Sequence, residues 1–448
     1  MIYFFRSLVI ASPMIKSSSI ASVLNRHKFL VFIPFVSLQL GIGVLYSYPL
    51  FISVFTKEYN WTTRAAEAVW SCVLVMLGIA SLVSSNFIKY SYRFLSTVSA
   101  FLLFAAYQLA SRFTGSDRFD FWYIFLGVGV LNGSAIGFTY VVGISVPVTY
   151  FPKHKGLITG LAVGIYGTGS LAWTYMSQAF LDHNYSLSTI FKTFSYLSAP
   201  IVLIAGWFMV PAPINHEAND QTSLINKVEE NEIVVNTEGK PIKITTMSLG
   251  ETLSNKHYWL TFLSLVIGAC AGFTALGALR IYPAHALAKN GYSEEEIQRA
   301  TFLATGLFFH IGNGCGRIFF GLLTDYIGVG ASYLLIFALQ TINFTGFIWF
   351  AGHPLSLYFS TIFIACFYGS TYVVVPLMVD GLFGHFNFSS VFPRILIATS
   401  FAGIIGPNIF AFFEDRGKPE LTFAVIGGAL FIATGISLYL RRAVKSRK

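Results

Sequence analysis

Long apolar runs, each ended by a short polar stretch, repeat along the whole chain of 448 residues. Twelve of these runs hold about 20 apolar residues, which lets a helix cross roughly 30 Å of hydrocarbon. Each run predicts a helix rather than a sheet, because backbone polar groups in lipid must be satisfied within the segment. Predicted helices one to twelve cover residues 29–55, 65–88, 93–112, 121–150, 155–181, 187–210, 258–283, 300–323, 330–351, 355–379, 393–413 and 421–440.

A polar segment divides the twelve runs into two sets of six. Residues 211–257 contain seven of the 20 acidic residues of the chain. This arrangement predicts an all-α integral membrane protein, in which two six-helix bundles face each other across a site near the bilayer midplane. The predicted divisions are a cytosolic tail or targeting segment (1–28), a first bundle (29–210), a cytosolic linker (211–257), a second bundle (258–440) and a basic tail (441–448).

The composition indicates that a lipid bilayer, rather than water, surrounds the chain. Only 11% of the residues are charged and 55% are hydrophobic, whereas soluble domains carry about twice that charged fraction. The net charge of +9 lies between the spans, which favours a role in membrane orientation over nucleic-acid binding. The positive-inside rule predicts that both termini and the linker lie in the cytosol or its organellar equivalent.

The first 28 residues leave two locations open. They are basic and rich in serine, and they contain no acid, which is typical of an organellar targeting segment and equally of an ordinary cytosolic tail. We therefore expect either the plasma membrane or an organellar membrane, mitochondrial or plastid.

Catalytic motifs do not accompany the spans in the sequence. The four cysteines lie in apolar runs without the spacing of a metal site or a disulfide framework. Nucleophile elbows, zinc motifs and phosphate-binding loops are absent from the sequence. We therefore expect a protein that is not an enzyme, needs no metal or cofactor, and works as a monomer.

Three polar residues share one face of predicted helix eight. His310, Asn313 and Arg317 recur at i, i+3 and i+7. An arginine inside the bilayer costs at least about 2.5–3.5 kcal/mol unless it faces protein or water, and it cannot release its proton. No acid is evident at its depth, so its expected partner is a substrate anion. The alternative is a structural clip to Asp325 or Asp380.

Two further features of this helix bear on function. Ser293 followed by Glu296 predicts a capping box that begins the helix outside the membrane. An imidazole has a reference pKa of about 6.5, so His310 could carry a coupled proton. A hydrogen-bonded core histidine is the alternative.

Aromatic and amide side chains near other span centres complete the predicted cavity. Tyrosine hydroxyls can donate to a carboxylate while their rings exclude water, although core packing explains most of the 23 tyrosines. The candidates are Tyr46 in helix one, Asn132 and Tyr140 in helix four, Tyr166 in helix five, and Tyr368 and Tyr372 in helix ten. The many glycines of helices four and five predict close helix packing, which also suits a moving interface.

Three stretches carry a resemblance to a known family. They are GIGVLYSYPLF in helix one, NGSAIGFTYVVGISVPVTYFPKHKGLITGLAVGIYGTGS across helices four and five, and NGCGRIFFGLLTDYIG in helix eight. From about residue 29 to 440 the chain resembles the major facilitator superfamily, and especially its oxalate/formate antiporter and monocarboxylate transporter branch. The resemblance implies that Arg317 pairs with a substrate carboxylate and that Tyr46, Tyr368 and Tyr372 wall the cavity.

The chain departs from the loop signature of this family. The Gly-x-x-x-Asp-Arg pattern between helices two and three is eroded, with Ile88 at the acidic position. Its counterpart in the second half survives from Gly321 to Asp325. We predict a conformational role for these two residues and for Asp380.

A second departure bears on the substrate. Oxalate carriers that this chain resembles have another cation in helix eleven, where Thr399 and Ser400 lie at the matching depth and Arg394 lies near the helix start. The helix-one lysine of animal monocarboxylate carriers is also absent. One deep cation favours a monovalent anion, because an uncompensated charge in low dielectric is expensive.

The predicted function is therefore secondary transport of a small monocarboxylate, such as pyruvate, lactate or formate. It would proceed by alternating access, with either proton symport or anion exchange. Two alternatives stay open: an amino-acid or dicarboxylate carrier of the same fold, and a transporter-like sensor that binds without transporting.

Overall fold

The computed structural model describes residue 24 and residues 26–87, 91–151, 154–211, 234–235, 241–242 and 247–446. Within them, twelve helical units follow one another, and we number these α1 to α12. The first six are α1 (Lys28–Val31, Phe32–Ile42, Gly43–Ser47 and Tyr48–Glu58), α2 (Thr63–Phe87), α3 (Tyr92–Ala110), α4 (Asp120–Ile124, Phe125–Asn132 and Gly133–Tyr150), α5 (Lys155–Asp182) and α6 (Leu187–Phe208). The last six are α7 (Lys256–Lys289), α8 (Glu294–Leu303, Ala304–Phe308 and Phe309–Ile327), α9 (Val329–Phe350), α10 (Pro354–Phe383), α11 (His385–Leu396 and Ala398–Glu414) and α12 (Glu420–Lys445).

The linker contributes little regular structure to the described residues. It holds strands β1 (Val234–Val235) and β2 (Pro241–Ile242), which pair antiparallel, and a short helix, Leu249–Leu253. The predicted targeting segment, apart from residues 24 and 26–28, lies outside the described residues, as do Ile88 and most of the acidic linker positions. We call the side of the linker inner and the opposite side outer.

The predicted spans all coincide with these units, and the largest differences are at the ends of α7, α8 and α11. Among the described residues, eleven helices are long and apolar enough to cross a membrane. The unit outside this set is α8, because the polar side chains of His310, Asn313, Arg317 and Asp325 lower its hydropathy. It nevertheless packs along α10 of its own half and along α5 of the other half.

The outer end of α8 begins as predicted. The Ser293 hydroxyl accepts from the Glu296 backbone N–H, and the Glu296 carboxylate accepts from the Ser293 N–H at 2.9 Å. These hydrogen bonds to the charged form lower the pKa of Glu296. The capping box is thus confirmed.

Four units change helix type part-way along their length. α1 passes through a 3₁₀ segment at Gly43–Ser47, and α11 is interrupted at Ile397. α4 and α8 contain π-helical stretches at Phe125–Asn132 and Ala304–Phe308. Such irregularities often occur at functional sites, and all four of these units contribute to the cavity described below.

The two six-helix halves touch along α5 and α8. A Cβ placed on Gly160 would lie 2.5 Å from the carbonyl oxygen of Arg317, and one on Gly164 would lie 3.0 Å from that of Gly314. Only glycine permits this backbone approach, as expected for helices that pack through small residues in lipid. The close packing predicted for the α5 glycines is therefore present.

A second contact between the halves joins α2 and α11. Ser71 Oγ donates to the carbonyl of Gly403 at 3.0 Å, and Ser400 Oγ donates to that of Leu74 at 3.2 Å. Hydroxyl-to-carbonyl bonds of this kind hold membrane helices together without charge.

Arg394 connects the inner end of α11 to the linker. Its Nη1 donates to the carbonyls of Met247 and Ser248, both at 3.1 Å, and to the hydroxyl of Thr252. The short helix Leu249–Leu253 is thereby tied to α11. Arg394 is consequently engaged with the linker rather than with the membrane interior.

Candidate functional site

A small cavity of about 30 Å³ lies between the two halves. Eight units contribute to it, four from each half. Its lining consists of Leu45, Tyr46, Trp70, Leu74, Leu77, Tyr140, Tyr166, Phe273, Arg317, Tyr368, Tyr372, Leu396 and Thr399. All of these side chains are buried.

Arg317 is the charged residue among these lining side chains. It is 1% exposed, and its Nη1 donates to the carbonyl of Val163 in α5 at 2.6 Å. Its Nε has no hydrogen-bond partner among the described residues. The guanidinium carbon lies 5.8 Å from the ring centre of Tyr166 and 5.7 Å from that of Tyr372, within cation–π range. The charge is thus held by one carbonyl, two rings and the Tyr46 hydroxyl, and Nε faces Gly369 of α10.

The carboxylates considered as structural clips for Arg317 bind elsewhere. Asp325 accepts from the backbone N–H groups of Gly156 and Leu157 at 3.0 and 2.9 Å. Asp380 pairs with Lys155 at 3.7 Å. Both therefore face the inner end of α5, and within the described residues neither forms an ion pair with Arg317.

Five tyrosines predicted from the sequence come together around Arg317. The ring centres of Tyr46 and Tyr166 are 5.1 Å apart, and those of Tyr140 and Tyr166 are 6.0 Å apart. Tyr368 and Tyr372, one turn apart on α10, have ring centres separated by 5.5 Å. The resulting wall combines aromatic faces, which exclude water, with hydroxyl groups that can donate to an anion.

Asn313 and Asn132 were expected at the substrate site but are not part of the cavity lining. Asn313 lies between α5 and α10, where a Cβ on Gly167 would be 3.3 Å from its amide carbon and Gly369 lies against its side-chain oxygen. Close approach of these glycines leaves no open space at that depth. Asn132, at the end of the π-helical stretch of α4, is likewise fully buried. Roles of Asn313 and Asn132 in substrate binding stay predictions.

His310 lies one aromatic ring away from the cavity. Its Nδ1 lies 2.8 Å from Ser170 Oγ. Its ring is edge-on to the ring of Tyr46, and the two ring centres are 6.2 Å apart. The side chain is 3% exposed. A proton-coupling role for His310 stays a prediction.

Sequence reasoning missed the apolar part of the lining. Trp70, Leu74 and Leu77 of α2 line the cavity at helical spacing, together with Phe273 of α7. Nothing in the sequence distinguishes such residues from lipid-facing ones, because every face of a membrane helix is apolar.

Glu67 is an acidic residue inside one of the predicted spans. It lies within the apolar span Arg64–Ser84 of α2, and the predicted span, which begins at residue 65, already contained it.

The residues predicted to be conformational meet at the inner end of α5. The Asp325 carboxylate caps the first turn of that helix, where a negative charge is stabilised by unpaired N–H groups and the helix dipole. A Cβ on Gly321 would lie 2.5 Å from the carbonyl oxygen of Gly156. Together with the Lys155–Asp380 pair, these contacts join the halves on the inner side.

Comparison with known proteins connects this architecture to transporters. Residues 33–407 match the family model described as Major Facilitator Superfamily. The uncharacterized MFS-type transporter YhjX of Escherichia coli (strain K12) is 24% identical over 387 residues, covering 85% of this chain and 87% of that protein. Monocarboxylate transporter 2 of Meriones unguiculatus is 22% identical over 427 residues, covering 91% and 83%.

Solved structures with a similar fold include the fucose:proton symporter FucP of E. coli. One FucP structure aligns with a TM-score of 0.60 at 13% identity, over 92% of this chain and 99% of that chain. A second, in the outward conformation, aligns with a TM-score of 0.58 at 15% identity over the same shares of both chains. At these identities the likeness concerns the fold.

Proposed function

Because this chain belongs to the major facilitator superfamily and is a multi-pass membrane transporter, we propose that it carries a small organic anion. The most suitable class is a monocarboxylate such as pyruvate, lactate or formate. Transport proceeds by alternating access of the cavity to the two sides of the membrane.

The observation that carries this proposal is the environment of Arg317. Its charge is buried in a cavity walled by tyrosines, with Nε lacking a partner and without a carboxylate among the lining residues. A permanent charge in such a place is stabilised by an anion that brings acceptor oxygens. A bound carboxylate would pair with the guanidinium charge and accept hydrogen bonds from tyrosine hydroxyls.

Charge balance and size support a monocarboxylate over larger anions. One guanidinium neutralises one carboxylate, whereas a dianion would leave a second charge buried without a partner. The cavity volume of about 30 Å³ is far below that of usual small-molecule sites, which favours the smallest anions. The similarity to monocarboxylate transporter 2 over most of both chains agrees with this choice.

An amino acid would present the same carboxylate to Arg317. Its ammonium group, however, would need an acceptor of opposite charge, and the lining residues include no Asp or Glu. The amino-acid alternative is therefore less well supported than a simple monocarboxylate.

Counterflow in proteoliposomes tests the substrate class. Vesicles preloaded with unlabelled pyruvate, lactate or formate should accumulate the labelled anion transiently and saturably. Oxalate and alanine should compete at least about tenfold less well, since a 1.4 kcal/mol mismatch gives that ratio. Absence of saturable counterflow with every C1–C4 monocarboxylate would contradict the proposed class. A pH gradient that drives net uptake would add proton symport to exchange and would keep His310 as a candidate proton carrier.

The contacts at the inner end of α5 give a second prediction. Asp325→Asn should weaken closure on the inner side, because the amide lacks the charge that strengthens the bonds to Gly156 and Leu157. We expect hydrogen exchange of those two amides to accelerate about tenfold, consistent with about 1.5 kcal/mol for a hydrogen bond to a charged group. Mass spectrometry of peptides from the start of α5 measures this rate.

The matched control for this measurement is Asp182→Asn at the outer end of the same helix. Asp182 is exposed and accepts from Gln178 of its own helix, so its replacement should leave the inner amides unchanged. Equal exchange in Asp325→Asn and the unmodified protein would exclude a role of Asp325 in holding the inner side closed.

A further inference from the structure

A carboxylate lies on the face of α2 that points into the cavity. Glu67, Trp70, Leu74 and Leu77 are spaced i, i+3, i+7 and i+10, which places them along one side of the helix. The last three line the cavity. Glu67 is therefore one turn closer to the outer side than Trp70, inside the apolar span Arg64–Ser84.

Glu67 also lies where the two halves meet on the outer side. Its Oε1 is 3.5 Å from the position that a Cβ on Gly277 of α7 would occupy. The carboxylate of the first half thus faces the backbone of the second half, and the space between them would hold one carbon atom. Opening of the outer side would separate α2 from α7 and admit water to Glu67.

An aromatic pair lies between this carboxylate and the cavity. The ring of Tyr48 in α1 stacks on Trp70, with centres 6.3 Å apart and an angle of 2°. The Tyr48 hydroxyl donates to the carbonyl of Ala66 at 2.9 Å, so it does not donate to Glu67. Glu67 accordingly belongs to the outer contact between the halves and not to the binding cavity.

The charged and titratable groups on the surrounding elements are few. On α2 the nearest is Arg64, and on α1 it is Tyr48. On α7, Arg280 is three residues beyond Gly277 in the sequence, and its side chain is not described. Among described side chains, no ion pair or hydrogen bond of the Glu67 carboxylate is present.

The remaining neighbours of α2 carry their charges at the ends. Glu414, at the outer end of α11, interacts electrostatically with His285, Asp415 and Glu420. Asp120, at the outer end of α4, accepts backbone N–H groups from Thr114 and Asp117. Oε2 of Glu414 has no hydrogen-bond partner among the described residues, and neither carboxylate interacts electrostatically with Glu67.

We propose that Glu67 is a proton-binding gate residue, whose carboxylate takes up one proton from the outer solution when the halves close at Gly277 and releases it when they open. The physical reason is that closure moves a carboxylate from water into a contact between membrane helices, where the charged form is costly. No other bond forms or breaks in this step. Glu67 is a positioning residue for the proposed transport. The proposal rests on that function only where it concerns the rate of transport.

Thiol labelling tests the gate without any substrate. In a chain whose four cysteines are replaced, a Gly277→Cys variant should react faster with a membrane-impermeant maleimide as the outer pH rises. The rate is divided by that of a Ser116→Cys variant in the exposed α3–α4 loop, which corrects for the ionisation of an exposed thiol. We expect the ratio to rise about fivefold between pH 5.5 and 8, as for one titrating group.

The Glu67→Gln variant should abolish this rise, because glutamine has the same shape and no titratable proton. Glu67→Asp should restore it, and Glu58→Gln, which changes an exposed carboxylate at the outer end of α1, should leave it intact. A ratio that does not depend on pH with Glu67 present, or one that depends equally on pH in Glu67→Gln, would overturn the proposal.

Counterflow separates this proposal from the proposed function. With Glu67 present, the rate of monocarboxylate counterflow should fall as the outer pH rises, because closure requires the proton. In Glu67→Gln the rate should be independent of outer pH, with exchange retained. Gated labelling without any monocarboxylate counterflow would reject the substrate class and uphold the gate. Monocarboxylate counterflow whose pH profile is unchanged in Glu67→Gln would reject the gate and uphold the substrate class.

Discussion

Replacing Arg317 with glutamine should reduce saturable monocarboxylate uptake about 30-fold or more. Truncating one partner of a buried, hydrogen-bonded charge pair costs about 2–5 kcal/mol, and each 1.4 kcal/mol is a factor of ten. The variant removes both the charge and the fork of donors that reaches Val163 and the cavity. Initial rates of counterflow, normalised to the amount of reconstituted protein, measure the effect.

Arg317→Lys separates charge from geometry. Lysine keeps the positive charge but presents a single ammonium in place of the planar fork, so it cannot bond Val163 and a carboxylate in the same arrangement. We expect an intermediate loss, mostly as a raised KM. Arg416→Gln is the matched control, since Arg416 is an exposed arginine over the ring of Phe412 at the outer end of α11. Unchanged kinetics in both Arg317 variants would assign that residue a structural role.

The second large effect is expected at the contact between α5 and α8. In Gly160→Val, the first added carbon would lie 2.5 Å from the Arg317 carbonyl oxygen and 3.2 Å from Cα of Gly321. Both neighbours are backbone atoms, so the helices themselves must separate. Overpacking of this kind costs about 1–3 kcal/mol, which corresponds to a fall in transport rate of about 5- to 150-fold if the closed arrangement is part of the cycle.

A control on α12 distinguishes contact from helix propensity. Gly435 is exposed, and a Cβ there would meet no atom within 4 Å, so Gly435→Val should leave counterflow unchanged. Gly160→Ala should give a smaller loss than Gly160→Val. Equal rates for Gly160→Val and Gly435→Val, with both proteins inserted and monodisperse, would contradict the need for close contact at this position.

The fold followed almost entirely from the hydrophobic pattern. Twelve apolar runs and one polar interruption sufficed, since a lipid-embedded backbone has few alternatives to the helix. The ends of α7 and α11 could not be read from hydropathy, because helices continue beyond the bilayer where polar residues no longer oppose them. The 3₁₀ and π-helical stretches were equally invisible, since they depend on packing with neighbouring helices.

The site was only partly predictable, for two different physical reasons. Arg317 and the five tyrosines stood out because polar groups are expensive in lipid and must face protein. Asn313 met the same criterion yet lies in a contact between helices, because the glycines that determine its surroundings belong to α5 and α10. Spacing along one helix predicts a shared face, but it cannot tell a cavity from a tight contact on that face.

The π-helical stretch Ala304–Phe308 determines the direction in which every later side chain of α8 points from the helix axis. Each residue of an α-helix turns the chain by about 100°, and a π-type turn accommodates one residue more than an α-type turn. The inner half of α8 is therefore rotated by about one residue relative to an uninterrupted helix. A relative that had lost a single residue here would direct a different side chain toward Tyr166 and Tyr372. The stretch Ala304–Phe308 does not line the cavity, yet its length determines which residue of α8 does.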